Sequence, residues 1–206
     1  SLLFAAVSIL STAAFANTQS VYVLGPGDLK SVGAAPSESQ TLEVFYSASS
    51  AGVSGVQVQM CFDSAVLELS FAVTYTENFF LQALQADTAN KDSDADTDTC
   101  IIASWASFSG NFDGGQSKFK LGDLQVTNIS GLTTGSRVIN SLVTVAASGF
   151  VASAVDVFPV DLVASYILGT AGDDVLIGSA SNDSFNGLDG SDEIYGQGGD
   201  DTITIS

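Results

Sequence analysis

The sequence predicts an all-β protein: a β-sandwich of two packed antiparallel sheets, followed by a short parallel β-roll. Three observations carry this. Across residues 17 to about 165, short apolar stretches alternate with polar residues at period two, separated by Gly, Ser and Asp. From Gly169 the chain divides into nines: GTAGDDVLI, GSASNDSFN, GLDGSDEIY and GQGGDDTIT. Helical spacing is confined to ENFFLQALQ, residues 77–85, so one brief helix is the most that is expected.

The alternation assigns faces. In TLEVFYS, Leu42, Val44 and Tyr46 share one side. In GVQVQMCFD, Val56, Val58, Met60 and Phe62 point one way and Gln57, Gln59, Cys61 and Asp63 the other. In KFKLGDLQV, Phe119 and Leu121 alternate with Lys118 and Lys120. VINSLVTVAAS puts Ile139, Ser141, Val143 and Val145 on one side. Several strands at this spacing imply a sandwich.

TDTCIIASWAS places Ile101, Ala103 and Trp105 inward, which leaves Cys100 pointing outward with Ser104, as Cys61 does on its own strand. Two outward cysteines on neighbouring strands can bond without disturbing the core. In an exported protein the disulfide is expected; the alternative is two unpaired thiols of shared parity.

Export is read from the N-terminus. Residues 1–16, SLLFAAVSILSTAAFA, are uncharged and apolar and end in Ala14-Phe15-Ala16, the apolar region and small-x-small cleavage site of a secretory signal peptide. Sixteen residues are short for a bilayer-spanning helix. Two readings stand: a signal segment removed from the mature protein, or an apolar segment retained and buried against another subunit. The expected location is secreted, extracellular or at the cell surface.

Composition narrows the function classes. With 23 Asp and Glu against 5 Lys and Arg, the formal net charge is −18. Such a surface repels nucleic acid and anionic lipid and suits cations. The chain contains no histidine. That excludes a His-Glu-x-x-His zinc site and a Ser-His-Asp triad, and no Gly-x-Ser-x-Gly elbow occurs. A glycosidase needs only two carboxylates, so a hydrolase remains the catalytic alternative to a binding module.

Residues 52–69, GVSGVQVQMCFDSAVLEL, resemble the strand and turn of cohesin-type domains, where a Gly-x-x-Gly start leads to an apolar strand and a Tyr/Phe-Asp-Pro turn. IIASWAS and FKLGDLQVTNISGLTTGSRVI follow in the family's order, so the resemblance spans most of residues 20–150. Ser64 stands where the family has proline. The resemblance implies a nine-stranded jelly-roll sandwich. Cohesins bind dockerin modules, but a fold resemblance gives a binding surface and not a named ligand.

The nonapeptides look like the RTX, or haemolysin-type, repeat GGxGxDxUx. Position one is Gly169, Gly178, Gly187 and Gly196; position six is Asp174, Asp183, Asp192 and Asp201; position eight is Leu176, Phe185, Ile194 and Ile203. The apolar eighth residue points into the axis of the roll. The glycines allow tight reversal, with positive φ where needed. Carbonyls and carboxylates of stacked turns then supply the six to eight hard oxygens that calcium takes. The ligating set this implies is Gly169, Ala171, Asp173, Asp174, Gly178, Ala180, Asn182, Asp183, Gly187, Asp189, Asp192, Gly196, Gly198, Asp200 and Asp201. Turns on one side stack every second repeat, which gives two sites, 169–174 with 187–192 and 178–183 with 196–201. Position two departs from the pattern throughout, as Thr170, Ser179, Leu188 and Gln197, and Ser181 replaces the fourth-position glycine.

A second acidic stretch, DSDADTD at 92–98, has the alternating carboxylates of an EF-hand loop but not its glycine at position six or its glutamate at twelve, which are Thr97 and Ala103. The plainer reading is a solvated acidic loop between strands.

The expected organisation is an apolar segment at 1–16, a cohesin-like sandwich at 17–165 and a calcium roll at 169–206. The function this favours is a non-catalytic secreted calcium-binding scaffold or adhesion protein of the cell surface or extracellular matrix. The alternatives are a subunit of an extracellular filament using a retained apolar N-terminus, and an accessory region of a secreted hydrolase. Partner classes are calcium ions, another protein module, a glycan, or copies of the chain itself, with nucleic acid excluded by charge.

Overall fold

The computed structural model describes residues 17–51, 53–108, 112, 118–178 and 181–205. The segment 1–16 and the repeat positions Ser179 and Ala180 lie outside the described residues.

The chain runs β1 (Asn17–Leu24), a 3-10 turn at Pro26–Asp28, β2 (Val32–Ala34), β3 (Ser39–Ala48), β4 (Gly55–Phe62), β5 (Leu67–Val73), β6 (Phe79–Ala86), β7 (Thr99–Ala106), β8 (Phe119–Asn128), β9 (Ser136–Val145), β10 (Phe150–Ala152) and β11 (Asp156–Leu162). It ends in β12 (Ser165–Leu168), β13 (Val175–Ile177), β14 (Asp183–Asn186), β15 (Glu193–Tyr195) and β16 (Thr202–Thr204).

A five-stranded sheet, β10-β1-β3-β8-β5, packs on a six-stranded one, β2-β11-β9-β4-β7-β6. The long pairs are antiparallel, while the three-residue β2 and β10 attach in parallel to β11 and β1. Among the described residues, these short additions bring the sandwich to eleven strands, where the resemblance implied nine.

The faces read from the alternation meet in one core. Leu42, Val44 and Tyr46 of β3 pack with Val56, Val58, Met60 and Phe62 of β4 and Ile101, Ala103 and Trp105 of β7. Each Val, Leu, Ile, Met or Phe among them, fully buried, contributes about 1.5–3 kcal/mol.

Two strands change face partway, and both changes are bulges. In β8, Leu121 is an extra residue: Val44 pairs Gly122 but Phe45 pairs Lys120. Phe119 and Leu121 point inward before the bulge, Leu124 and Val126 after it. In β9, Gln57 pairs Val145 and Val58 pairs Val143, so Thr144 is the extra residue. Val145 therefore turns outward and is 57% exposed, contrary to the side the alternation gave it.

Residues 77–85 form no helix; they lie mostly in β6, an edge strand paired to β7 from Phe79↔Trp105 to Ala86↔Thr99. A nine-residue segment is too short to hold a helix without strong packing. Pairing instead satisfies the backbone groups of β7. The apolar residues that mimicked a helical face remain partly outside: Phe80 is 79% and Leu84 64% exposed.

The disulfide between Cys61 and Cys100 is present. The two residues are directly opposite in the β4–β7 ladder with Cα atoms 4.0 Å apart. Parity placed them off the main core correctly, but they are not at the surface. With Leu142 they form a second, small buried cluster on the outer face of the six-stranded sheet.

Ser64, at the proline position of the cohesin-type turn, has a function proline lacks. Its N–H and Oγ both donate to the Asp98 carboxylate, at 2.8 and 2.9 Å. The backbone N–H of Ser64 is the main cause that holds the Asp98 carboxyl below its ordinary value.

Candidate metal centre

The last five strands form a parallel roll. β12, β14 and β16 make one side, β13 and β15 the other. Its register has an eighteen-residue step: Leu176 lies over Ile194 and Phe185 over Ile203. Phe185 is fully buried and Leu176 is 8% exposed, so the eighth-position column is the interior of the roll. Ile167 continues the column one strand earlier, in register with Phe185. β12 is thus a roll strand that precedes the first glycine; the signal for it was an apolar residue two positions before Gly169.

The roll is fastened to the sandwich. Tyr166 of β12 belongs to the main core, and burial pushes its phenol up. Gly33 of β2 permits the approach: a Cβ there would lie 2.7 Å from the Tyr166 ring and 2.9 Å from Ser184.

The sixth-position aspartates hold the turns together in pairs. The Asp174 N–H donates to Asp192 Oδ1 at 3.1 Å, and the Asp183 N–H to Asp201 Oδ1 at 3.0 Å. A second rung runs beside each: Ser191 N–H to Asp173 Oδ1 at 2.9 Å, and Asp200 N–H to Asn182 Oδ1 at 2.9 Å. The structure therefore stacks Asp173 and Asp174 on Ser191 and Asp192, and Asn182 and Asp183 on Asp200 and Asp201. Asp183 is 1% exposed and accepts from Ser165 Oγ at 2.7 Å. Asp189 and Asp200 are exposed at the turns.

The first-position glycines serve close packing, not positive φ. A Cβ on Gly187 would lie 2.2 Å from Asp192 Oδ2, and one on Gly196 2.1 Å from Asp201 Oδ2. On Gly169 and Gly178 it would meet the carbonyl oxygens of Gly187 and Gly196, at 2.5 and 2.7 Å, as well as the repeat's own aspartate. Positive φ occurs elsewhere: at fourth-position Gly190 (129°) and Gly199 (102°), and at second-position Leu188 (63°) and Gln197 (69°). Carboxylate and carbonyl oxygens are hard donors, the kind calcium takes at 2.3–2.6 Å.

Position two carries more than the sequence showed. Thr170 donates its N–H and its Oγ1 to Asp174 Oδ2, at 2.6 and 2.9 Å, and so positions a sixth-column carboxylate. Leu188 and Gln197 hold the left-handed conformation that L side chains disfavour by roughly 1–2 kcal/mol. Gln197 is exposed and so makes the cleaner test. Gln197→Gly is expected to stabilise the calcium-loaded roll by about 1 kcal/mol, read as a rise in its thermal midpoint at fixed calcium. An unchanged or lower midpoint would show that the strain is not relieved there.

Carboxylates recurring every eighteen residues on stacked parallel turns define a calcium-binding β-roll. In agreement, residues 168–203 match the RTX calcium-binding nonapeptide repeat family in four copies. No curated protein sequence matches the chain. Solved structures similar to it are distant. One is CaCohA2 from Clostridium acetobutylicum, at 10% identity and TM-score 0.42, covering 72% of this chain and 91% of that one. Another is the third cohesin of ScaC from Acetivibrio cellulolyticus, solved with the ScaB dockerin, at 8% identity and TM-score 0.43, covering 69% and 99%. A third is AvmM, which catalyses macrocyclisation in alchivemycin A biosynthesis, at 12% identity and TM-score 0.39, covering 70% and 88%.

Proposed function

We propose that this protein is a non-catalytic extracellular scaffold or adhesion protein, in which a calcium-closed roll (169–206) extends a sandwich (17–165) that binds by surface contact. The observation that carries the reading is the paired stacking of Asp174 on Asp192 and Asp183 on Asp201. A site of this kind loads where calcium is abundant, which is outside the cell. In the proposed site the fifteen repeat residues from Gly169 to Asp201 named above supply carboxylate and carbonyl oxygens, Ala180 among them.

The absence of histidine from the sequence supports a binding function over catalysis, since it removes the commonest general base. The apolar side chains of Phe80 and Leu84 on edge strand β6 support contact through a sheet edge. A protein module, a glycan or a second copy of the chain are the partner classes this surface suits. The test presents the full chain, at millimolar calcium, to protein-module and glycan arrays, with sedimentation for self-association and a reducing-sugar assay across the same glycans. Binding or association without turnover is expected. Release of reducing ends, lost on replacing a carboxylate pair, would make the chain a hydrolase instead.

A further inference from the structure

Among the described residues, the sandwich ends at four strand edges: β10 and β5 on one sheet, β2 and β6 on the other. An exposed edge presents unpaired N–H and C=O groups, and proteins guard it with short strands, charge, proline or bulges. β2 and β10 have three residues each, and β5 carries the exposed Glu68. β6 has eight residues, and from Asn78 to Ala86 the chain has no charge and no proline. Its bulge, at Phe80, lies at the start of the strand; pairing with β7 is regular from Leu81 to Ala86.

The core also stays open at this edge. Gln82 lies opposite Ala103 and Leu84 opposite Ile101, so both belong to the inward row. Gln82 reaches across to β5, its Nε2 donating to the Phe71 carbonyl at 3.0 Å. Leu84 is left 64% exposed. A groove of about 260 Å³ remains between the two sheets, lined in part by Leu69, Phe71, Leu84 and Ile101. Phe80 and Leu81, 79% and 41% exposed, extend the apolar patch.

Charge selects the occupant. At a formal net charge of −18, two copies of this chain repel one another. The β6 edge lets them meet on a strand that carries no carboxylate. A basic partner gains nothing from an uncharged edge and is drawn to the acidic surfaces instead. In an antiparallel pair about a two-fold axis perpendicular to the sheet, each copy keeps its inward row on the same side. Paired strands lie about 4.8 Å apart, so Leu84 of one copy comes beside the groove of the other. The strand and its apolar side chains, counted on both copies, cover roughly 1,000 Å², the low end for a specific interface.

We propose that two copies of the chain associate through β6, edge to edge and antiparallel, so that their six-stranded sheets become continuous. The proposal rests on the binding function above and selects the second copy from its partner classes.

The experiment is sedimentation of the full chain from about 1 to 100 µM, in EGTA and in millimolar calcium. A monomer–dimer equilibrium is expected in both, because β6 belongs to the sandwich and not to the roll. It should tighten as salt rises, since salt screens the repulsion between acidic copies. Leu84→Glu, at an exposed position, should weaken it about tenfold or more, because the change counts once in each copy. Hydrogen exchange on the wild-type chain gives a readout that depends on no variant. Amides within Leu81–Ala86 should gain protection from the low to the high concentration, and those of β2 and β10 should not. A chain that stays monomeric at about 100 µM overturns the proposal. So does a dimer that leaves the β6 amides unprotected, or one whose affinity Leu84→Glu does not change. None of these results decides the broader binding function, which the protein-module and glycan arrays test separately.

Discussion

In EGTA, residues 169–204 are expected to exchange their amide hydrogens like an unfolded chain, and in millimolar calcium to be protected, while β1 to β11 hardly change. The roll cannot close on its own. Its interior column has two well-buried members, Phe185 and Leu176, and Ile203 at the last strand is 51% exposed. Two buried side chains contribute about 3–6 kcal/mol. Ordering the backbone costs roughly 1–2 kcal/mol per residue, over four repeats. Against this the segment also concentrates Asp173, Asp174, Asp183, Asp189, Asp192, Glu193, Asp200 and Asp201, and the last basic residue in the sequence is Arg137. Calcium binds the folded state and not the open one, so its binding free energy becomes folding free energy.

The structure sharpens where the boundary falls. Tyr166 belongs to the sandwich core and β12 pairs β14, so β12 is the template on which the repeats assemble. Its outer hydrogen bonds should gain protection with calcium, while Tyr166 stays buried without it. Equal protection of the repeats in EGTA and calcium would refute the linkage. So would ordering that survives Asp174→Ala with Asp192→Ala, since Asp192 Oδ1 is the acceptor of the Asp174 N–H across the stack.

What the sequence made legible was whatever is decided locally. Period two put Val56, Val58, Met60 and Phe62 on one face because side chains alternate along any strand. It failed at Val145 and past Leu121, where an extra residue in one strand is defined only against its partner. It failed again at Phe79–Ala86, because an edge strand with solvent on one side loses the burial contrast that marks a strand. The repeat columns were readable because each is a contact inside one nonapeptide or with the turn eighteen residues away. The reason for the first column was not: a missing Cβ beside Asp192 Oδ2 looks, in sequence, like any flexible glycine. Nor could sequence show that Asn140, about fifty residues on, lies against Asp92 and Asp94, since that meeting is made by the sheet.

Removing the disulfide, as Cys61→Ala with Cys100→Ala, is expected to destabilise the sandwich by about 4 kcal/mol. The bond closes a loop of sequence separation 39, containing β5, β6 and the acidic loop. For a loop of that length the chain-entropy relation gives roughly 4 kcal/mol at 25 °C. The two residues are also 0% and 2% exposed against Leu142, so truncation removes packed sulfur and enlarges a small buried cluster. The effect should centre on β6, which is joined to the sheet through β7 alone. Urea unfolding in EGTA isolates the sandwich from the roll. The variant should show a lower midpoint at nearly the same slope, and wild-type protein treated with a dithiol should move towards it. A shared midpoint for the variant and the oxidised wild type would mean the bond is dispensable. So would loss of stability confined to the calcium-loaded roll, because the bond joins β4 to β7 within the six-stranded sheet of the sandwich.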